Sequence, residues 1–137
     1  MPQIKKIHHV AVVVDDMEES LSFWRDVLGL PMTGLRDVPA EKSQVVFLPA
    51  GESEVELVKP VTADSGVARY LAKRGPGLHH ICFEVDDIEA ALAQLKEKGV
   101  HLINEAPMTD SDGKRYIFVH PESTSGVLVE LYQAQAE

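Results

Sequence analysis

An α+β fold follows from three observations on the sequence. The chain contains one unit twice, each copy opens with an apolar strand that runs into an amphipathic helix, and each copy ends in three further short strands. The unit is therefore βαβββ. Two such modules, paired, predict an open eight-stranded, cup-like sheet with the module helices outside.

The repeat can be read residue by residue. His8-His9-Val10-Ala11-Val12-Val13-Val14-Asp15-Asp16-Met17-Glu18 aligns with His79-His80-Ile81-Cys82-Phe83-Glu84-Val85-Asp86-Asp87-Ile88-Glu89 at an offset of 71 residues, with six of the eleven positions identical. Leu21 over Leu92 and Phe47 over Phe118 continue the match. Val55-Glu56-Leu57 pairs with Val129-Glu130-Leu131 at an offset of 74, so the second copy has three extra residues before its last strand. The 137 residues read as a single domain, 1–137, with copies at about 5–60 and 78–133 joined by a short helical linker, 61–77.

Within the first copy, residues 5–14 are β-branched and apolar, and Asp15-Asp16 suit a helix N-cap, with Glu18 and Glu19 favourable in the first turn. Met17, Leu21, Trp24 and Leu28 recur at helical spacing, and Gly29 is placed to end the helix. Residues 31–38, 44–49 and 54–59 read as strands, the last two joined by a hairpin turn at 50–53. The second copy predicts a strand at 79–86, a helix at 87–98 stopped by Gly99, and strands near 100–105, 115–119 and 127–132. In the linker, a short helix near 66–73 ends at Gly75-Pro76-Gly77.

Composition limits the partners. Thirteen Lys and Arg stand against twenty-two Asp and Glu, a net charge of −9, which disfavours nucleic acid and anionic membranes because a phosphate backbone needs a basic footprint. No run reaches the ~20 apolar residues of a membrane span, and the N-terminus has no secretory apolar stretch. The single Cys82 excludes a disulfide framework and any CxxC motif; mid-strand, it reads as a small buried hydrophobe. A soluble, cytoplasmic protein is expected.

The chemistry-bearing positions are duplicated too. His8-His9 and His79-His80 each open a first strand, where neighbours point to opposite faces, so one of each pair faces the interior. Both faces are apolar, and hydrophobicity does not choose between them. Glu56 and Glu130 each sit inside an apolar run of a last strand, where an ionised carboxylate is costly unless paired or metal-bound. Two imidazoles and two carboxylates at repeat-equivalent positions satisfy one another through a divalent cation of the Co, Mn, Fe, Ni or Zn kind. His101 and His120 are lone histidines to which the sequence gives no part in the chemistry. Phe23 and Trp24 read as core or interface, and Lys73-Arg74 and Lys114-Arg115 as solvated basic pairs.

Paired βαβββ modules with a strand-borne His/Glu site resemble the vicinal oxygen chelate (glyoxalase/bleomycin-resistance/dioxygenase) superfamily and, within it, the methylmalonyl-CoA epimerases. The resemblance is carried by Ile7-His8-His9-Val10-Ala11, by residues 65–85 including Arg74-Gly75-Pro76-Gly77-Leu78-His79-His80-Ile81, by the helix end at 96–99, and by His120-Pro121 followed by Ser125-Gly126-Val127-Leu128-Val129-Glu130-Leu131. It implies that His9, Glu56, His80 and Glu130 are the metal ligands and that Glu130 is the catalytic base. The implied activity is that of an isomerase interconverting (R)- and (S)-methylmalonyl-CoA by proton transfer at C2 through a metal-stabilised enolate. An acyl-CoA substrate and a homodimer are implied as partners. Other metal-dependent members (a glyoxalase-type lyase or an extradiol dioxygenase) and a non-catalytic small-molecule-binding module are the alternatives. Two departures stand out: Val45 occupies the place where some epimerases carry a second catalytic Glu, and Asp110-Ser111-Asp112 is acidic where the family is glycine-rich.

Overall fold

In a computed structural model, which describes residues 2–134, the chain forms two compact units. One is His9–His79; the other joins the residues up to His8 with those from His80 onward. Eight strands and three α-helices among the described residues give the α+β class, arranged as two βαβββ modules.

Strand β1 (Ile4–Val13) leads to Asp16, whose carboxylate accepts the Glu19 N–H at 3.1 Å and starts helix α1 (Met17–Leu21). The helix then widens into a π-helical turn, Ser22–Val27, marked by the Leu28 N–H bond to the Phe23 carbonyl at 2.8 Å. The wider turn keeps Trp24 against the core beside Leu21 while Phe23 and Val27 stay exposed. Gly29, at φ 88°, ends the segment as the sequence predicts. Strands β2 (Gly34–Val38), β3 (Ser43–Ala50) and β4 (Ser53–Pro60) form an antiparallel meander, and β4 returns parallel to β1, giving the order β2-β3-β4-β1. Helix α2 (Gly66–Arg74) follows, capped by the Ser65 hydroxyl.

The second module repeats the plan. Strand β5 (Gly77–Val85) leads to Asp87, which caps helix α3 (Ile88–Glu97) through the Ala90 N–H at 3.0 Å. Strands β6 (Met108–Thr109), β7 (Arg115–Val119) and β8 (Val129–Gln133) complete the order β5-β8-β7-β6, with β8 parallel to β5. The Gln3 N–H donates to the Asp86 carboxylate at 2.8 Å and the Asp86 N–H returns to the Gln3 carbonyl at 3.2 Å, tying the start of β1 to the end of β5.

The strand expected near 100–105 is not formed as such. It reduces to a single bridge, Leu102 to Val119, and the corresponding strand is the two-residue β6 farther on. Asn104 is the reason. Its carboxamide oxygen accepts the Phe118 N–H at 2.7 Å and its nitrogen donates to the Ala106 and Tyr116 carbonyls, so a side chain takes the ladder's place. The acidic loop before β7 also has a structural duty: Asp110 accepts the N–H groups of Asp112 and Lys114 and closes the turn.

Each unit has its own core. Val12, Val14, Val46, Leu48, Val55 and Leu57 meet α1 on one face of the first unit. Phe83, Val85, Ile117, Val119, Val129 and Leu131 meet α3 on one face of the second. Alternation along the strands therefore turns His9, Ala11 and Glu56, and likewise His80, Cys82 and Glu130, to the opposite faces. On that face of the first unit, Ala11, Val45 and Val58 pack with Val38, Phe47 and Val67 of α2. Among the described residues, no helix is long and apolar enough to cross a membrane.

Candidate active site

Strand register builds the same half-site twice. In the first unit, Glu56 lies opposite Ala11 on β1 and Phe47 on β3, and its Oε2 is 3.0 Å from Nδ1 of His9. In the second, Glu130 lies opposite Cys82 on β5 and Phe118 on β7, and its Oε1 is 3.0 Å from Nε2 of His80. The residue facing each glutamate on the parallel neighbour, Ala11 or Cys82, is small and fully buried. The buried Cys82 thiol matches its reading as a small core residue.

The four side chains are between 10% and 14% exposed, too little for free solvation of a carboxylate. Each pair therefore satisfies its own members by a charge-assisted hydrogen bond. The donor set is one imidazole nitrogen and one carboxylate oxygen per unit, without thiolate, which fits a borderline or hard divalent ion. Such an ion replaces the imidazole–carboxylate bond by accepting lone pairs from both groups, so the residues suit the metal that the sequence implies.

The first histidine of each pair meets an aromatic ring. The His8 ring packs on Tyr132 with centroids 4.5 Å apart, and His79 meets Tyr70 edge-on at 4.9 Å. Val45 is buried in the apolar cluster with Ala11 and Val58, and Arg36 lies over the Phe47 ring at 5.7 Å. The basic pairs of the sequence are engaged locally: Arg74 and Lys114 lie over Tyr70 and Tyr132, and Arg115 is ion-paired with Glu89. Sequence reasoning paired Phe47 with Phe118 but gave them no function. In the structure each sits across from a glutamate, and the Phe118 and His80 rings stand perpendicular with centroids 5.5 Å apart. Their signal was the shared offset itself.

Residues 6–131 match the Glyoxalase/Bleomycin resistance protein/Dioxygenase superfamily, and the chain belongs to that superfamily. Among its members, the chain is similar to methylmalonyl-CoA epimerases. It is 40% identical over 133 residues to the mitochondrial methylmalonyl-CoA epimerase of Mus musculus, covering 96% of this chain and 75% of that one. It is 36% identical over 132 residues to the ethylmalonyl-CoA/methylmalonyl-CoA epimerase of Cereibacter sphaeroides, covering 95% and 98%. A solved methylmalonyl-CoA epimerase in complex with methylmalonyl-CoA and ammonium superposes with a TM-score of 0.87 at 29% identity, covering 98% of this chain and 97% of that chain.

Proposed function

We propose that the protein is a methylmalonyl-CoA epimerase: it interconverts the (R) and (S) thioesters by proton transfer at C2. In the same reading His9, Glu56, His80 and Glu130 together hold one divalent ion of the Co, Mn, Ni, Fe or Zn kind. The observation that carries it is the duplicated, largely covered His/Glu pair, each at 3.0 Å, in a chain similar to methylmalonyl-CoA epimerases along most of its length. The protein acts as a cytoplasmic homodimer.

The C2 proton lies between a thioester and a carboxylate, and its removal sends charge to the thioester oxygen. A divalent ion, when bound, supplies Lewis-acid stabilisation of that charge. Glu130 removes the C2 proton and returns it to either face, a task suited to a carboxylate held nearly dry beside an imidazole. His80 orients that carboxylate, and the perpendicular Phe118 ring packed against His80 fixes the imidazole's own pose. Val45 offers no proton acceptor at the position where some epimerases place a second Glu, so one base serves both faces.

The test is deuterium exchange at C2 of methylmalonyl-CoA, with and without a chelator. Solvent deuterium should enter C2 of both epimers, and chelation should abolish the exchange until a divalent ion is restored. Absence of exchange in the metal-loaded protein would overturn the reading.

A further inference from the structure

We propose a second divalent-metal site, outside the His/Glu pairs above, formed by His101, His120 and Glu122. Within the unit that contains them, these three side chains each bring a ligand atom to within 4.8 Å of the others. The two histidines are cross-strand neighbours. The His120 N–H donates to the His101 carbonyl at 2.9 Å, the Ile103 N–H to the Phe118 carbonyl at 2.9 Å, and Leu102 bridges Val119 between them. Directly opposed positions on an antiparallel pair hold their Cβ atoms about 4.5–5.5 Å apart, close enough for two imidazoles to share one ion. The 3₁₀ turn Pro121–Ser123 then folds back, and Ser123 Oγ accepts the His101 N–H at 2.9 Å. That turn sets Glu122 Oε2 at 3.4 Å from His101 Nδ1. Two neutral imidazoles and a carboxylate select a late first-row ion such as Zn, Ni or Cu, with water completing the shell.

A purely structural reading accounts for two contacts of the cluster, one of them the hydrogen bond between His101 Nδ1 and Glu122 Oε2 at 3.4 Å. His120 Nδ1 accepts the Glu122 N–H at 2.9 Å and so caps the turn. Neither contact requires the second imidazole to lie flat on the first, at 4.2 Å and 7°. In that stacked pose the in-plane lone pairs lie in nearly parallel planes. An ion is taken up by turning the His101 ring, whose side chain is 52% exposed, toward His120 and Glu122. Binding through His120 Nε2 transfers the ring proton to Nδ1 and gives up the cap, so this site is weaker than the four-ligand one. The ion would clip residues 101–103 to the end of β7, where the backbone ladder is thinnest.

The experiment is zinc titration of the metal-stripped full chain by calorimetry, with bound zinc counted by elemental analysis. The parent should take two ions per chain. His101→Ala and His120→Asn, the latter keeping an oxygen to accept the Glu122 N–H, should each lose the weaker ion or weaken it at least tenfold, with C2 exchange within twofold of the parent. The double variant His9→Ala/His80→Ala should keep one ion, lost on adding His101→Ala. Unchanged zinc uptake in both His101→Ala and His120→Asn would overturn the site, as would a parent that takes one ion and loses it with His9. A parent that takes one ion and loses it with His101 would uphold this site and overturn the four-residue one.

Discussion

Glu130 has two duties in the proposed chemistry, and substitution separates them. Glu130→Gln keeps an oxygen ligand of nearly the same shape but removes the basic carboxylate. It should retain most of the metal and lose on the order of 10²–10⁴ in rate, the share of a positioned acid–base group. With Val45 buried in an apolar cluster, the variant should fail to exchange the C2 proton of either epimer. Exchange persisting from one epimer alone would reveal a second base, and epimerisation near the parent rate would remove Glu130 from the chemistry. His80→Ala should instead weaken metal binding, with part of the activity recovered by excess metal. At this scale the sequence exposed the paired glutamates, because a carboxylate in an apolar run is conspicuous. It did not choose within His8-His9 or His79-His80, since both strand faces are apolar: one meets a helix, and the other carries Ala11 and Val58 or Cys82 beside the glutamate.

Asn104 stands in for a strand, and its carboxamide is a local keystone. Asn104→Ala leaves the Phe118 N–H, partly buried, without its acceptor at 2.7 Å. The loss should cost about 1–3 kcal/mol, the penalty of stranding a donor away from water. Urea denaturation of parent and variant measures it, and an unchanged midpoint would mean that water replaces the bond in full. The element pattern was legible where hydrogen bonding is between backbones: both capped helix starts, the 50–53 hairpin and the glycine stop at residue 99 fall where the sequence places them. It was illegible where a side chain substitutes for backbone, as at Asn104. The π-helical turn escaped for a related reason. Leu21, Trp24 and Leu28 suit ordinary helical spacing, and one residue's extra width changes which faces are exposed without breaking the apolar pattern.

The duplicated plan was the most legible feature of the whole chain, because each half repeats a residue series rather than a mere hydropathy profile. Pairing of two chains leaves a fainter trace. Val27 is 77% exposed, Leu28 53% and Phe23 50%, exposed apolar side chains on one turn of the first unit that favour the proposed homodimer. Sedimentation at micromolar concentration should give a dimer and Val27→Asp should shift it toward monomer; a monomeric parent would remove the proposal. The boundary between the two units has a different consequence. It falls between His8 and His9 and again between His79 and His80, so one unit is a continuous stretch of chain and the other needs both ends. Gln3 cannot meet Asp86 until more than eighty residues have been made. During synthesis, then, the continuous unit is able to close first while the leading residues wait, and long-range closure of this kind is slow. Pulse-labelled hydrogen exchange during refolding should find amides of β3 and β4 protected before the Gln3 and Asp86 amides; the reverse order would contradict it. On this expectation the order of assembly departs from the duplication seen in sequence.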